Sequence, residues 1–164
     1  MSGKYYDELR VGDRFFHPAK GSARKISKEE NLKFCKDWGN NQILHYDDEF
    51  ARQLGFEGAI VNSLLTLTVV VNLTVDDLTD GTIVGNLSYD RIIHRRPVYG
   101  GDSLTVETII TDKKESKSKR GCGIIKLTHI GRNQDGNIVI EIDRTIMFLK
   151  RESFPVSEQI AIFS

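Results

Sequence analysis

Four long stretches of alternating apolar and polar residues, preceded by one apolar segment of helical length, predict an α+β fold in which an antiparallel sheet cradles a single helix. The alternating stretches are Gly81 to Val98, Asp102 to Lys114, Gly121 to Asn133 and Asn137 to Arg151. The apolar segment is Ile60 to Val75, with Leu64, Leu65, Leu67, Val69, Val70, Val71, Leu73 and Val75 on nearly every side. Its length favours a helix, although its valines and threonines lower the intrinsic propensity. A helix apolar all round has to be covered, and the strands that follow supply the cover. Tyr99-Gly100-Gly101-Asp102 and Gln134-Asp135-Gly136-Asn137 hold the glycine and aspartate that tight turns need, so consecutive strands are expected to pair antiparallel.

The elements ahead of the helix follow in order. Leu9 to Phe16 reads as a turn and then an aromatic strand, and Ser22 to Ile26 as a second short extended piece. Ser27, with Glu30 three residues on, forms a capping box for a helix whose apolar side is Leu32, Phe34 and Cys35 and which stops at Gly39. Asp47-Asp48-Glu49 places three acids where the next helix begins, a position favoured by the helix dipole, and that helix ends near Gly55. The acids are read as helix-starting charges rather than metal ligands. The tail 154–164 is read as an arm or a disordered end.

A length of 164 residues makes one domain, 1–164, with its core at about 13–148. Twenty-three basic residues balance 23 acidic ones, so no global positive field exists to hold nucleic acid. The longest apolar run falls short of the roughly 20 residues of a membrane span, and the first residues lack a signal-peptide pattern. The expectation is a soluble, cytoplasmic protein without membrane or nucleic-acid partners. Cys35 and Cys122 make neither a disulfide framework nor a zinc spacing and are read as small hydrophobes. No metal is expected. Gly81, Gly85 and Gly121-Cys122-Gly123 match no nucleotide-binding loop.

Chemistry concentrates between residues 39 and 67. Only four histidines exist, and His45 stands in a run of small amides, Asn40-Asn41-Gln42, ahead of the apolar helix that Asn62-Ser63 opens. Histidine is the side chain that titrates near neutrality without a perturbing environment, which suits it to activate water. The bland alternative is a histidine that satisfies a backbone group at a helix start, as Asn62 is alternatively a helix cap. Lys113 to Arg120 is a basic cluster, read either as an exposed strand end or as a landing place for phosphates through Lys117 and Lys119.

The run Phe34-Cys35-Lys36-Asp37-Trp38-Gly39-Asn40-Asn41-Gln42-Ile43-Leu44-His45, then Phe50-Ala51, Gly55-Phe56 and Ile60-Val61-Asn62-Ser63, resembles the motif of MaoC-like, (R)-specific enoyl-CoA hydratases. Pro97-Val98-Tyr99-Gly100-Gly101-Asp102-Ser103-Leu104 resembles a second segment of that family, and the likeness extends over about Asp13 to Phe148. It implies the hotdog fold, a long sheet around a central helix, and at least a homodimer with the thioester tunnel at the junction. It also implies a hydro-lyase that adds water to, or removes it from, the 2,3 position of a short or branched acyl-CoA, with no cofactor beyond coenzyme A as part of the substrate. By position His45 becomes the water-activating base and the Ser63 backbone N–H the donor to the thioester oxygen. Substrate-binding roles fall on Asn62, Lys117 and Lys119.

Three residues depart from the motif. Asn40 replaces the acid five residues before the histidine, Gln42 replaces an asparagine and Ile43 a proline. An amide positions water by hydrogen bonds but releases no proton, so Asn40 is no general acid. Asp37, Asp47, Asp48 and Asp90 are carboxylates that stand as substitutes. Asn40, together with Ile-Val-Asn-Ser-Leu-Leu-Thr-Leu from Ile60, is most similar to the mesaconyl-CoA hydratase-like branch, where His45 would both activate water and return its proton while Asn40 holds the water. Two other readings stand beside it: a hotdog thioesterase, whose carboxylate belongs on a central helix that has none before Asp76, and a non-catalytic thioester-binding subunit of a MaoC-like heteromer.

Overall fold

The computed structural model describes residues 3–18 and 21–153. The expectation for the tail 154–164 lies outside the described residues. The elements run β1 (Arg14–His17), β2 (Arg24–Lys25), α1 (Lys28–Asp37), α2 (Asp48–Gln53), α3 (Ser63–Asn72), β3 (Ile83–His94), β4 (Ser103–Glu115), β5 (Cys122–Arg132) and β6 (Ile138–Leu149). All strands pair antiparallel, in the order β1-β4-β5-β6-β3, with β2 also on β4. The sheet wraps α3, which is the expected hotdog arrangement.

The apolar segment is helical over a shorter span than its hydrophobicity suggests. Ile60 and Val61 are extended, bridging Tyr99 and bonding Val98, and Asn62 caps the helix by accepting the Leu64 N–H. Leu65, Val69 and Val70 are buried with Leu104, Val106, Ile140 and Ile142 from the sheet. Burial of this kind stabilises by roughly 25 cal/mol per Å² of apolar surface, enough to override the modest helix penalty of valine. The contact is close. A Cβ on Gly131 of β5 would lie 2.7 Å from Ile140 and 2.9 Å from Val70, so the helix rests on strand backbone there.

Three sequence expectations need correction. Consecutive strands do not all pair: β3 joins β6, and two strands separate it from β4. After His94 the chain leaves the sheet. Val98 accepts from Val61, and the turn at 99–102 is fastened to the edge piece by bonds between Ile26 and Gly101 and Asp102. β3 is thereby an outer strand, with Val84, Leu87, Tyr89 and Ile92 exposed. The capping box of α1 is also half made. Ser27 accepts from the Glu30 N–H at 3.0 Å, but the Glu30 carboxylate pairs with Arg24 instead of returning to the cap. Leu32, assigned to the buried side of α1, is exposed, while Asn31 takes the buried place beside Cys35.

The interior also holds a polar chain. Asp77 accepts from His17 Nδ1 at 2.6 Å, His17 Nε2 lies 2.9 Å from the Thr108 hydroxyl, and that hydroxyl lies 2.8 Å from His129 Nδ1. Burial, aided by Arg144, pushes His129 down to about 3. That lies below the ordinary histidine value of about 6.5, so on acidification the unfolded chain takes up this proton first. The contribution is complete above pH ~6.5 and is lost as pH falls toward 3. Burial holds His17 below its ordinary value too, against the opposing pull of Asp77. Urea unfolding should therefore show about 2 kcal/mol lost to His129 between pH 7 and pH 5. His129→Gln should flatten that slope by one proton; an identical slope in the variant would contradict this assignment.

Candidate active site

The loop from α1 to α3 is built by short-range bonds. Gly39 takes a φ of +67° and ends α1, after which the Asn40 N–H returns to the Cys35 carbonyl at 2.8 Å. Asn40 Oδ1 accepts the Gln42 N–H at 3.1 Å, a local turn that side-chain amides favour. Ile43–His45 form one 3₁₀ turn, in which the His45 N–H reaches the Gln42 carbonyl. Asp47 caps α2 by accepting from Phe50, and Asp48 joins Lys28 at 2.9 Å and the Ala59 N–H at 2.8 Å. The Lys28 bond holds the Asp48 carboxyl below the usual carboxylate range. Asp47 thus works as cap and Asp48 as anchor, while Glu49 lies beside Arg52 one turn on.

His45 is fixed by its ring. Nδ1 lies 3.1 Å from the Ile60 carbonyl, which has no proton to give, so Nδ1–H is the donor and Nε2 carries the free lone pair. Three residues beyond Ile60, Ser63 opens α3. As the first helical residue it has no intrahelical acceptor for its N–H, and none among the described residues supplies one. The N-terminal end of a ten-residue helix favours partial negative charge at that point.

Asn31, which the sequence reading passed over, holds the parts together. Its amide donates to the His45 carbonyl at 2.9 Å and the Ile60 carbonyl at 3.4 Å, and its oxygen accepts the Asn62 N–H at 2.8 Å. The signal was an amide one turn from Cys35 on the inward side of α1.

The predicted site residues fall into two groups. His45, Asn40, Asn62 and Ser63 share this loop region. Asn40 does not touch His45; its amino group has no partner among the described residues. Asn62 is buried and engaged by Leu64, Asn31 and the Cys35 sulfur, so its visible work is capping. Lys117 and Lys119 lie in the β4–β5 turn, at the opposite end of a 13-residue strand, on the order of 40 Å along the chain direction from Ser103. Neither reaches His45 of the same chain.

In the single chain, His45 and Ser63 open onto neighbouring depressions on either side of Ala59-Ile60. One, of about 170 Å³, is lined by His45, Asn31, Tyr46 and Asp48. The other, of about 220 Å³, is lined by Ser63, Thr66, Phe56, His94 and Arg96. His94 and Arg96 were not anticipated. Burial holds His94 below its ordinary value. The Arg96 guanidinium makes no ion pair among the described residues, whereas Arg95 is taken by Glu141.

A sheet around one apolar helix, with an imidazole and a free N–H gathered at its N-terminus, defines a hotdog-fold protein. The sequence profile of the MaoC like domain matches residues 17–133, and the chain belongs to that family. It is 29% identical over 152 residues to the mesaconyl-CoA hydratase of Cereibacter sphaeroides, covering 93% of this chain and 43% of that protein. A putative MaoC domain dehydratase from Chloroflexus aurantiacus superposes with a TM-score of 0.84 at 27% identity, covering 93% of this chain and 42% of that one. A Mycobacterium tuberculosis protein with a double hotdog fold superposes with a TM-score of 0.80 at 20% identity, over 94% of this chain and 46% of that one. The chain spans less than half the length of the curated mesaconyl-CoA hydratase and β-methylmalyl-CoA dehydratase relatives it matches. Among the described residues no helix is long and apolar enough to cross a membrane.

Asn31→Leu tests the clamp. The change leaves the Asn62 N–H and the His45 carbonyl without this partner and takes one of two donors from the Ile60 carbonyl, and should cost about 3 kcal/mol in denaturant unfolding, with the far-UV spectrum retained. A loss below about 1 kcal/mol would show that the three bonds do not organise the loop.

Proposed function

We propose that the chain is a hydro-lyase of the (R)-specific enoyl-CoA hydratase type, acting at the 2,3 position of a short or branched acyl-CoA. The observation that carries this is the His45 ring, turned so that Nε2 is a free acceptor by the carbonyl of Ile60, which stands three residues before Ser63 and its unused N–H. Hydration of an enoyl thioester needs a base for water, a proton for the α-carbon and a donor for the enolate oxygen. His45 Nε2 takes a proton from water as the oxygen bonds to C3. The electron pair moves to the thioester oxygen, which the Ser63 N–H and the α3 dipole receive. The same imidazolium then returns its proton to C2. Asn40 orients the water through its amino group and exchanges no proton.

The assembly is read as a homodimer joined along β3. A 12-residue outer strand with exposed Leu87, Tyr89 and Ile92 presents an unpaired edge, and Leu64 on the outward side of α3 is 59% exposed. Pairing there covers both and sets the clefts of two chains at one junction. Coenzyme A belongs to the substrate. Its phosphates are assigned to Arg96, the unpaired cation beside Ser63, in preference to Lys117 and Lys119 at the far end of β4. A thioesterase reading is disfavoured because Ser63–Asn72 holds no carboxylate, and Asp77 beyond it is bonded to His17.

His45→Ala should reduce hydration of a trans-2-enoyl-CoA by ~10² or more. Ser63→Pro separates the N–H from the side chain, since proline is favoured at the first helical position and the extended ψ of 133° at Asn62 suits a following proline. It should lower kcat by ~10² to 10³ while Ser63→Ala stays near wild type. Equal activity in Ser63→Pro and Ser63→Ala would remove the N–H from the mechanism.

A further inference from the structure

His94 is an imidazole that the chemistry above leaves unused. It closes β3, opposite Ile140 of β6. Residues directly opposite each other in an antiparallel pair share a face, and Ile140 packs with Val70 of α3, so His94 stands on the face turned to the helix. With Ser63, Thr66 and Phe56 it lines the cleft of about 220 Å³ at the start of α3. The ring is open to that cleft, and neither of its nitrogens bonds to a described residue. The walls around it hold its proton affinity below the ordinary value, and no charged neighbour contributes. Near neutral pH the ring is therefore uncharged, with one N–H to donate. Arg95, one residue on, is engaged by Glu141 at 2.9 Å.

We propose that the N–H of His94 is a second donor to the thioester oxygen, across the cleft from the Ser63 N–H. The inference rests on the hydratase reading above and deepens it. A carbonyl oxygen has two lone pairs, and charge that develops on it in the transition state is met best by donors already aimed at it from both sides. The N–H groups adjoining Ser63 are spent, that of Asn62 on the Asn31 oxygen and that of Leu64 on the Asn62 oxygen. The Thr66 hydroxyl returns to the Asn62 carbonyl. His94 is a side chain of this cleft whose donor no described residue uses.

A neutral imidazole suits this role better than a charged one. Its N–H bond to the oxygen tightens as the electron pair arrives from the C2–C3 double bond, and loosens once C2 takes the proton from His45. An imidazolium in its place would hand its own proton to the enolate oxygen and hold the intermediate as an enol. The two histidines thus divide the work: His45 moves the proton and His94 steadies the charge. One donor is set by the helix and the other by the sheet, so their separation is fixed by the packing of α3 on the strands.

Isotope-edited infrared spectra of bound butyryl-CoA, labelled with ¹³C at the carbonyl, read the donors without turnover. In the wild-type protein the carbonyl band should fall below its position in water. His94→Leu should reverse part of that fall, and His94→Gln, which keeps a neutral N–H, should retain most of it. In turnover of a trans-2-enoyl-CoA, His94→Leu should lower kcat by ~10² with little change in KM, and His94→Gln should recover most of the loss. Both variants should melt with wild type, since His94 makes no hydrogen bond to a described residue. In the wild-type protein itself, the ring ¹H–¹⁵N resonance of His94 should move downfield when butyryl-CoA binds. An unmoved resonance, a full band shift in His94→Leu, or a His94→Gln protein as impaired as His94→Leu overturns the inference. A wild-type protein that leaves butyryl-CoA unbound, or its carbonyl band where water puts it, overturns the hydratase reading itself.

Discussion

The contact between α3 and the backbone of β5 at Gly131 governs the rest of the molecule. Because no side chain intervenes there, Val70 reaches the strand, and the helix axis is set by the sheet rather than by the loops at its ends. The N-terminus of α3 is thereby fixed, and with it the Ser63 N–H. Ile60 and Val61, held against Tyr99 and Val98, extend that rigid piece backwards. His45 then hangs from the Ile60 carbonyl. An imidazole with a free acceptor nitrogen and an N–H with no intrahelical partner, carried by separate elements, end up referenced to one helix, the pre-organisation that the proposed chemistry requires.

The electrostatics of the site and of the core differ in kind. At His45 the backbone selects a tautomer. Deeper in the sheet, burial keeps His129 neutral near the Arg144 guanidinium, which has no carboxylate partner among the described residues. The first arrangement leaves an acceptor nitrogen free, and in the second the guanidinium is met by the Asn86 side-chain oxygen and the Tyr89 ring. Asn40 adds no charge to the loop: its side-chain oxygen accepts the Gln42 N–H, and an amide at that position can hold water in the proposed reaction but exchanges no proton.

Much of this was legible in the sequence, for physical reasons that can be named. Alternation located all four long strands to within a few residues, since β4, β5 and β6 each bury one face and leave the other more open. Ser27, Asp47 and Asn62 were readable as helix starts because an oxygen at each accepts an orphan N–H. Strand order was not readable, because a Gly-Gly turn after β3 serves a crossover as well as a hairpin. Asn31 and Arg144 were missed for a related reason. A polar residue in an apolar pattern looks like an exposed one until its partners, 14 to 58 positions away, are brought next to it. Lys117 and Lys119 drew attention by composition alone, and in the single chain they lie at the far end of a 13-residue strand from Ser103.

The central claim is that His45 and Ser63 direct water, and not hydrolysis, onto an enoyl thioester. Incubating the wild-type protein with a trans-2-enoyl-CoA in ¹⁸O-labelled water and resolving the product by chiral chromatography with mass spectrometry measures this directly. The account predicts an intact (R)-3-hydroxyacyl-CoA carrying one labelled oxygen at C3, with no release of free coenzyme A. Label in a free carboxylic acid accompanied by free thiol, or recovery of unchanged substrate, would contradict it.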